Sequence, residues 1–131
     1  MNYLFDTSVF IWARSFPERL NRRARDLLSL KSEALYLSAA SSWEMGVKYL
    51  LGKLELPDPP ALYVPASMNM WGIRALDISH RHALSVTELP LHHTDPFDRM
   101  LIAQARTEGM VLLTADRMFE KYEVETIWCG A

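Results

Sequence analysis

Short apolar runs at residues 3–5, 34–37, 73–76 and 111–113 are separated by stretches whose apolar residues recur every three or four positions. Runs of that length read as buried strands, and the stretches between them as amphipathic helices. A weaker fifth strand is expected at 126–128. Over 18–30, Leu20, Ala24, Leu27 and Leu28 share one face while Arg19, Arg22, Arg23 and Asp26 take the other. A second helix carries Trp43, Val47 and Tyr49 and ends near Gly52. After a proline-rich loop at 55–60, helices are expected over 61–71, 80–86 and 96–108, the last closed by Gly109. Strands joined through helices need crossover connections, which lay the strands parallel. The pattern predicts an α/β three-layer sandwich, with a short, mostly parallel central sheet flanked by helices. A chain of 131 residues, 50% hydrophobic, suits one domain over 1–131 and is too short for two.

The acidic residues fall where such a fold binds ligands. Asp6 directly follows the first apolar run, Glu44 lies just beyond the second, Asp116 just beyond 111–113, and Asp98 opens the helix over 96–108. The carboxyl ends of neighbouring parallel strands line one crevice. Carboxylates gathered there repel unless a cation sits among them, and hard divalent ions such as Mg²⁺ or Mn²⁺ prefer oxygen ligands. Each acid also has a purely structural reading. Asp6 and Asp116 precede helical turns they could cap, and Ser41 with Glu44 has the spacing of a capping box. Asp95 before Pro96 reads as a cap with proline at the first helical position or as a further member of the acidic cluster, and Asp98 falls in a first turn that favours negative charge. Capping and convergence are compatible, because helix amino ends and strand carboxyl ends share one edge of a parallel sheet.

Charge is nearly balanced, with 14 Lys and Arg against 16 Asp and Glu. Any nucleic-acid contact must therefore rest on local patches. Cys129 is the single cysteine; its place at a frayed carboxyl end fits a reducing compartment. The opening residues lack the basic segment of a signal peptide, and no apolar stretch approaches bilayer length. A soluble cytoplasmic protein is expected.

Four segments resemble the PIN domain family, and more narrowly the VapC-type toxins of toxin–antitoxin pairs. They are Leu4-Phe5-Asp6-Thr7-Ser8, Ser42-Trp43-Glu44 and the long run His93-Thr94-Asp95-Pro96-Phe97-Asp98-Arg99-Met100-Leu101-Ile102-Ala103-Gln104-Ala105; Leu113-Thr114-Ala115-Asp116 follows in the expected order. The resemblance implies a PIN-like fold and a Mg²⁺- or Mn²⁺-dependent endoribonuclease. Its acidic quartet carries over onto Asp6, Glu44, Asp98 and Asp116. It implies Asp6 and Asp98 as direct metal ligands, with Asp116 binding a second ion or acting through water. Thr114 and Thr7 fit hydroxyl partners that orient carboxylates. It also implies an RNA substrate, a cognate antitoxin, a homodimer, and DNA contact only through the antitoxin.

The remaining candidates are weaker. His92 and His93 read as loop histidines, and His80 and His82 fall on a separate surface helix, so no zinc constellation stands at usual spacing. Arg99, beside Asp98, is expected to contact phosphate or pair with a site carboxylate. The arginines at 19, 22, 23 and 25 form either a solvated face or a guide for RNA. Trp43, Tyr49, Met68, Met70 and Trp71 read as core, although such surface would also suit a partner's amphipathic segment. A phosphorelay receiver would want an acidic pair after the first strand and a late lysine, and an aspartyl phosphatase would want an acid where Ser8 stands. Neither fits. The serious alternative is a PIN-like binding or repressor subunit with little turnover.

Overall fold

The computed structural model describes residues 1–30 and 34–131. Among them are strands β1 (Asn2–Phe5), β2 (Ala34–Ser38), β3 (Arg74–Leu76), β4 (Val111–Thr114) and β5 (Thr126–Trp128). Helices α1 (Thr7–Ser15), α2 (Arg22–Ser29), α3 (Ala39–Leu50), α4 (Pro60–Trp71), α5 (His80–Ser85) and α6 (Pro96–Glu108) connect them. The strands form one sheet in the order β3-β2-β1-β4-β5, and every ladder is parallel. The chain winds outward in both directions from β1, which places the topological switch point between β1 and β4.

Residue alternation along the strands divides the interior. Tyr3 and Phe5 pack into one cluster with Val9, Phe10, Leu27 and Tyr63, whereas Leu4 and Leu112 turn to the opposite face against Leu101, Ile102 and Ala105 of α6. The sheet is thus the middle layer, with helices covering both sides. Gly109, in the left-handed region at φ 66°, ends α6 by releasing its amide to Ala105 O, as the closing glycine predicts.

Several expectations shift. The helix expected over 18–30 begins only at Arg22. A 3₁₀ turn, Pro17–Arg19, precedes it, Leu20 makes an antiparallel bridge to Gly130, and the Asn21 side chain caps by accepting from Ala24 N. Ser38 caps α3, not Ser41. His82 is buried, not on the surface; its imidazole completes a capping box with Ser79 and meets Glu108 at 2.7 Å. Cys129 is fully buried beyond β5, its amide donating to Thr114 O, so the carboxyl end there is not frayed. Trp43 and Met70 are 64% and 57% exposed, outside the core they were expected to join. Among the described residues, no helix is long and apolar enough to cross a membrane.

Candidate metal centre

Asp6 sits between β1 and α1, and its amide extends the central ladder by donating to Leu113 O at 2.9 Å. It occupies the N-cap position of α1, yet its side chain makes no cap bond. The carboxylate instead accepts from Thr114 Oγ1 at 3.0 Å, and the same hydroxyl accepts from Asp116 N at 3.0 Å. One threonine at the end of β4 therefore fixes the acids on both central strands. Asp116 also caps the 3₁₀ turn that follows, accepting from Met118 N.

Glu44 reaches the same place from α3, where it lies within the helix and not in a capping box. Thr7 Oγ1 donates to Glu44 Oε1 at 2.7 Å and shares a hydrogen bond with Ser41 Oγ, while Lys48, one turn later, pairs with Glu44 Oε2. Asp98 enters from the first turn of α6. Asp95 caps that helix by accepting from the amides of Phe97 and Asp98, and it also lines the cleft. Asp6, Ser8, Trp12, Glu44, Lys48, Asp95, Asp98, Ala115 and Asp116 enclose about 240 Å³. A wider concavity of about 640 Å³ between α5 and α6 has no comparable gathering of acids, so size is a poor guide here.

The electrostatics follow from this crowding. Burial, reinforced by Asp6, Asp95, Glu44 and Asp116, pushes the Asp98 carboxyl up to about 8. Burial raises Asp6 to about 6 despite the Thr114 bond, with Glu44 and Asp116 adding to the effect. Partial burial pulls the Lys48 ammonium down, but its bond to Glu44 and the surrounding negative charge more than offset this and hold it above the usual lysine value.

The sequence-predicted quartet thus meets in one cleft, with Thr7 and Thr114 where orienting hydroxyls were expected. Two features differ. The donors that come within 4.8 Å of one another, among the described residues, are His93, Asp98 and Asp116, and Asp6 stands beside that triplet with one oxygen held by Thr114. His93, read from sequence as a loop histidine, has Nε2 at 2.9 Å from Asp98 Oδ2 and 3.5 Å from Asp116 Oδ2. Its only sequence signal was its place two residues before Asp95.

Arg99 is the second correction. Its buried guanidinium meets neither cleft nor carboxylate; it donates to the carbonyls of Val86, Leu89, Pro90 and His93 and lies 3.5 Å from Tyr122 Oη. One residue along a helix turns a side chain by about 100°, which carries it from the cleft to the loop behind. As for a metal, the donor set fits a hard divalent cation. Carboxylate oxygens from separate elements converge, and their raised proton affinity records burial first and then crowded negative charge, which Lys48 offsets only in part.

The PIN domain family model matches residues 3–125. Ribonuclease VapC16 of Mycobacterium tuberculosis is 47% identical over 49 residues, a stretch covering 37% of this chain and 35% of that relative. In overall shape the chain is similar to a VapBC2 structure from Rickettsia felis bound to a promoter DNA fragment (TM-score 0.75, 16% identity, 98% of this chain and 99% of that one). It is also similar to a DNA-bound VapBC from Salmonella typhimurium (TM-score 0.69, 16% identity, 97% of each chain).

Proposed function

The chain belongs to the PIN domain family, and from that premise we propose that it is a Mg²⁺- or Mn²⁺-dependent endoribonuclease, the toxin of a VapBC-type toxin–antitoxin pair. The observation that carries this reading is the meeting of Asp6, Glu44, Asp98 and Asp116 in one cleft from four separate elements. Asp98 and Asp116 are the residues that would hold the ion. Asp6, which lines the same cleft with Oδ2 engaged by Thr114, can complete the ligand set. Glu44, held by Thr7 and Lys48, adds its charge to the lining of the cleft. When bound, such an ion would neutralise charge on a phosphoryl oxygen and lower the pKa of a water it holds. Hydrolysis then breaks the phosphorus–O3′ bond of RNA, and the products are a 5′-phosphate and a free 3′-hydroxyl.

The partners follow the same logic. The two solved structures of similar fold named above are VapBC bound to DNA. We assign this chain a cognate antitoxin, a homodimeric state, and DNA contact only through that antitoxin. Exposed Trp43, Leu50, Leu51 and Leu62 on and beside α3 and α4 offer the apolar surface a partner's amphipathic segment would cover.

The test is cleavage of a mixed RNA pool by purified protein in Mg²⁺, in EDTA, and with Asp6→Asn and Asp98→Asn. Cleavage should require the ion and both carboxylates, and the fragments should carry 5′-phosphates. A wild-type protein that binds Mg²⁺ and never cuts RNA would replace this reading with that of a binding or repressor subunit. Cleavage that persists in EDTA and in both variants would remove the cleft from the chemistry.

A further inference from the structure

We propose that His93 is a positioning residue of the acidic cleft, bracing Asp98 and Asp116 so that a divalent cation meets them already aligned. The inference rests on the metal-centre reading above. His93 is a loop residue, yet it is firmly held. The His93 amide donates to Tyr122 Oη at 2.7 Å, its carbonyl accepts from Arg99 at 3.4 Å, and its ring stands edge-on to Phe119 with centroids 6.3 Å apart. Arg99 binds the rest of that loop through Val86, Leu89 and Pro90. A histidine that merely filled a surface loop would need none of these restraints.

The restraints aim one nitrogen. Nδ1 accepts from Asp95 N at 3.3 Å, which leaves the ring hydrogen on Nε2, the atom turned towards Asp98 and Asp116. Nε2 is buried, and although it lies 2.9 Å from Asp98 Oδ2 its approach is too oblique for a well-aligned bond to either acid. It therefore stands between the two carboxylates, 2.9 and 3.5 Å away, without a formed bond to either. A direct metal ligand would need a bare Nε2, so His93 acts through the carboxylates. Without it, two like-charged groups on separate elements lose the N–H that stands between them. Partners of this kind typically change metal affinity by about 10- to 100-fold.

Mn²⁺ titration by calorimetry at fixed pH tests the assignment, with wild type, His93→Asn, His93→Gln and Asp98→Asn. Asn retains an acceptor for the Asp95 amide but cannot reach the carboxylates, whereas Gln can. The Mn²⁺ dissociation constant should rise roughly tenfold or more in His93→Asn and recover in part in His93→Gln. In RNA cleavage the His93→Asn defect should appear in the Mn²⁺ activation constant and shrink at saturating Mn²⁺. A nitrogen-detected spectrum of wild-type imidazoles, which needs no variant to fold, should show His93 protonated at Nε2 with and without Mg²⁺. Wild-type Mn²⁺ affinity in His93→Asn, or a His93 ring protonated only at Nδ1, overturns the inference. If Asp98→Asn also binds Mn²⁺ as tightly as wild type, the metal-centre reading itself fails. If Asp98→Asn loses the ion while His93→Asn keeps it, only the role of His93 fails.

Discussion

Asp98 and Arg99 are neighbours in sequence, yet the regions they serve treat buried charge in opposite ways. On the cleft side, Asp98 is surrounded by Asp6, Asp95, Glu44 and Asp116, and its carboxyl is pushed up to about 8. On the far side, the Arg99 guanidinium is as well buried and is surrounded by carbonyl oxygens that satisfy it. A buried charge given partners stabilises the fold, and one left among like charges is tolerated because something else is meant to neutralise it. The Arg99 side is built for structure, and the Asp98 side is held in reserve for a ligand.

The contrast breaks most easily at Arg99. Arg99→Met leaves several buried carbonyls unmatched and should cost about 3 kcal/mol or more, read as a lowered urea midpoint in EDTA. Asp98→Asn should do the reverse, stabilising the metal-free protein at pH 8 by about 1 kcal/mol, because it removes a charge the fold does not compensate. If both variants destabilise equally in EDTA, the two regions do not differ as described.

The pH dependence sharpens the same point. Folded Asp6 and Asp98 bind protons up to about 6 and about 8, well above the value of 3.8 they take when unfolded. Between those limits the native state holds more protons than the unfolded state, so stability falls as pH rises. The contribution of the neutral acids is complete below 3.8 and is lost on passing through about 8. Melting temperature in EDTA should therefore decline across that window, and the increment from Mn²⁺ should grow with pH. A Mn²⁺ increment independent of pH would sink the assignment of those two carboxyls to the ion.

The smallest effect is expected at Asp95, which both caps α6 and lines the cleft. Asp95→Ser keeps a capping oxygen and deletes the charge. Melting temperature should move by no more than a few tenths of a kcal/mol equivalent, because serine and aspartate cap about equally well. A large loss of Mn²⁺ affinity in this variant would promote Asp95 from cap to full member of the cleft.

The alternation of short apolar runs with helical spacing was enough to specify the strands, their parallel pairing and the helices on both faces. It also set the acids at strand carboxyl ends and helix amino ends, and such positions gather at one edge whatever the loops do. That is why Asp6, Asp98 and Asp116 could be read from the chain, whereas Glu44 reaches the same edge from within α3, and Thr7 and Thr114 were named through the family resemblance. Orientation at the scale of one residue was not legible. Whether position 99 faces the cleft or the loop depends on the phase of α6, and whether His93 points inward depends on Tyr122, Phe119 and Arg99, which lie far from it in the chain or on another element. Local pattern decides which layer a residue joins, because burial follows the period of the backbone. Only tertiary packing decides which neighbour its polar atoms meet, because those partners are brought together by the fold and not by the sequence between them.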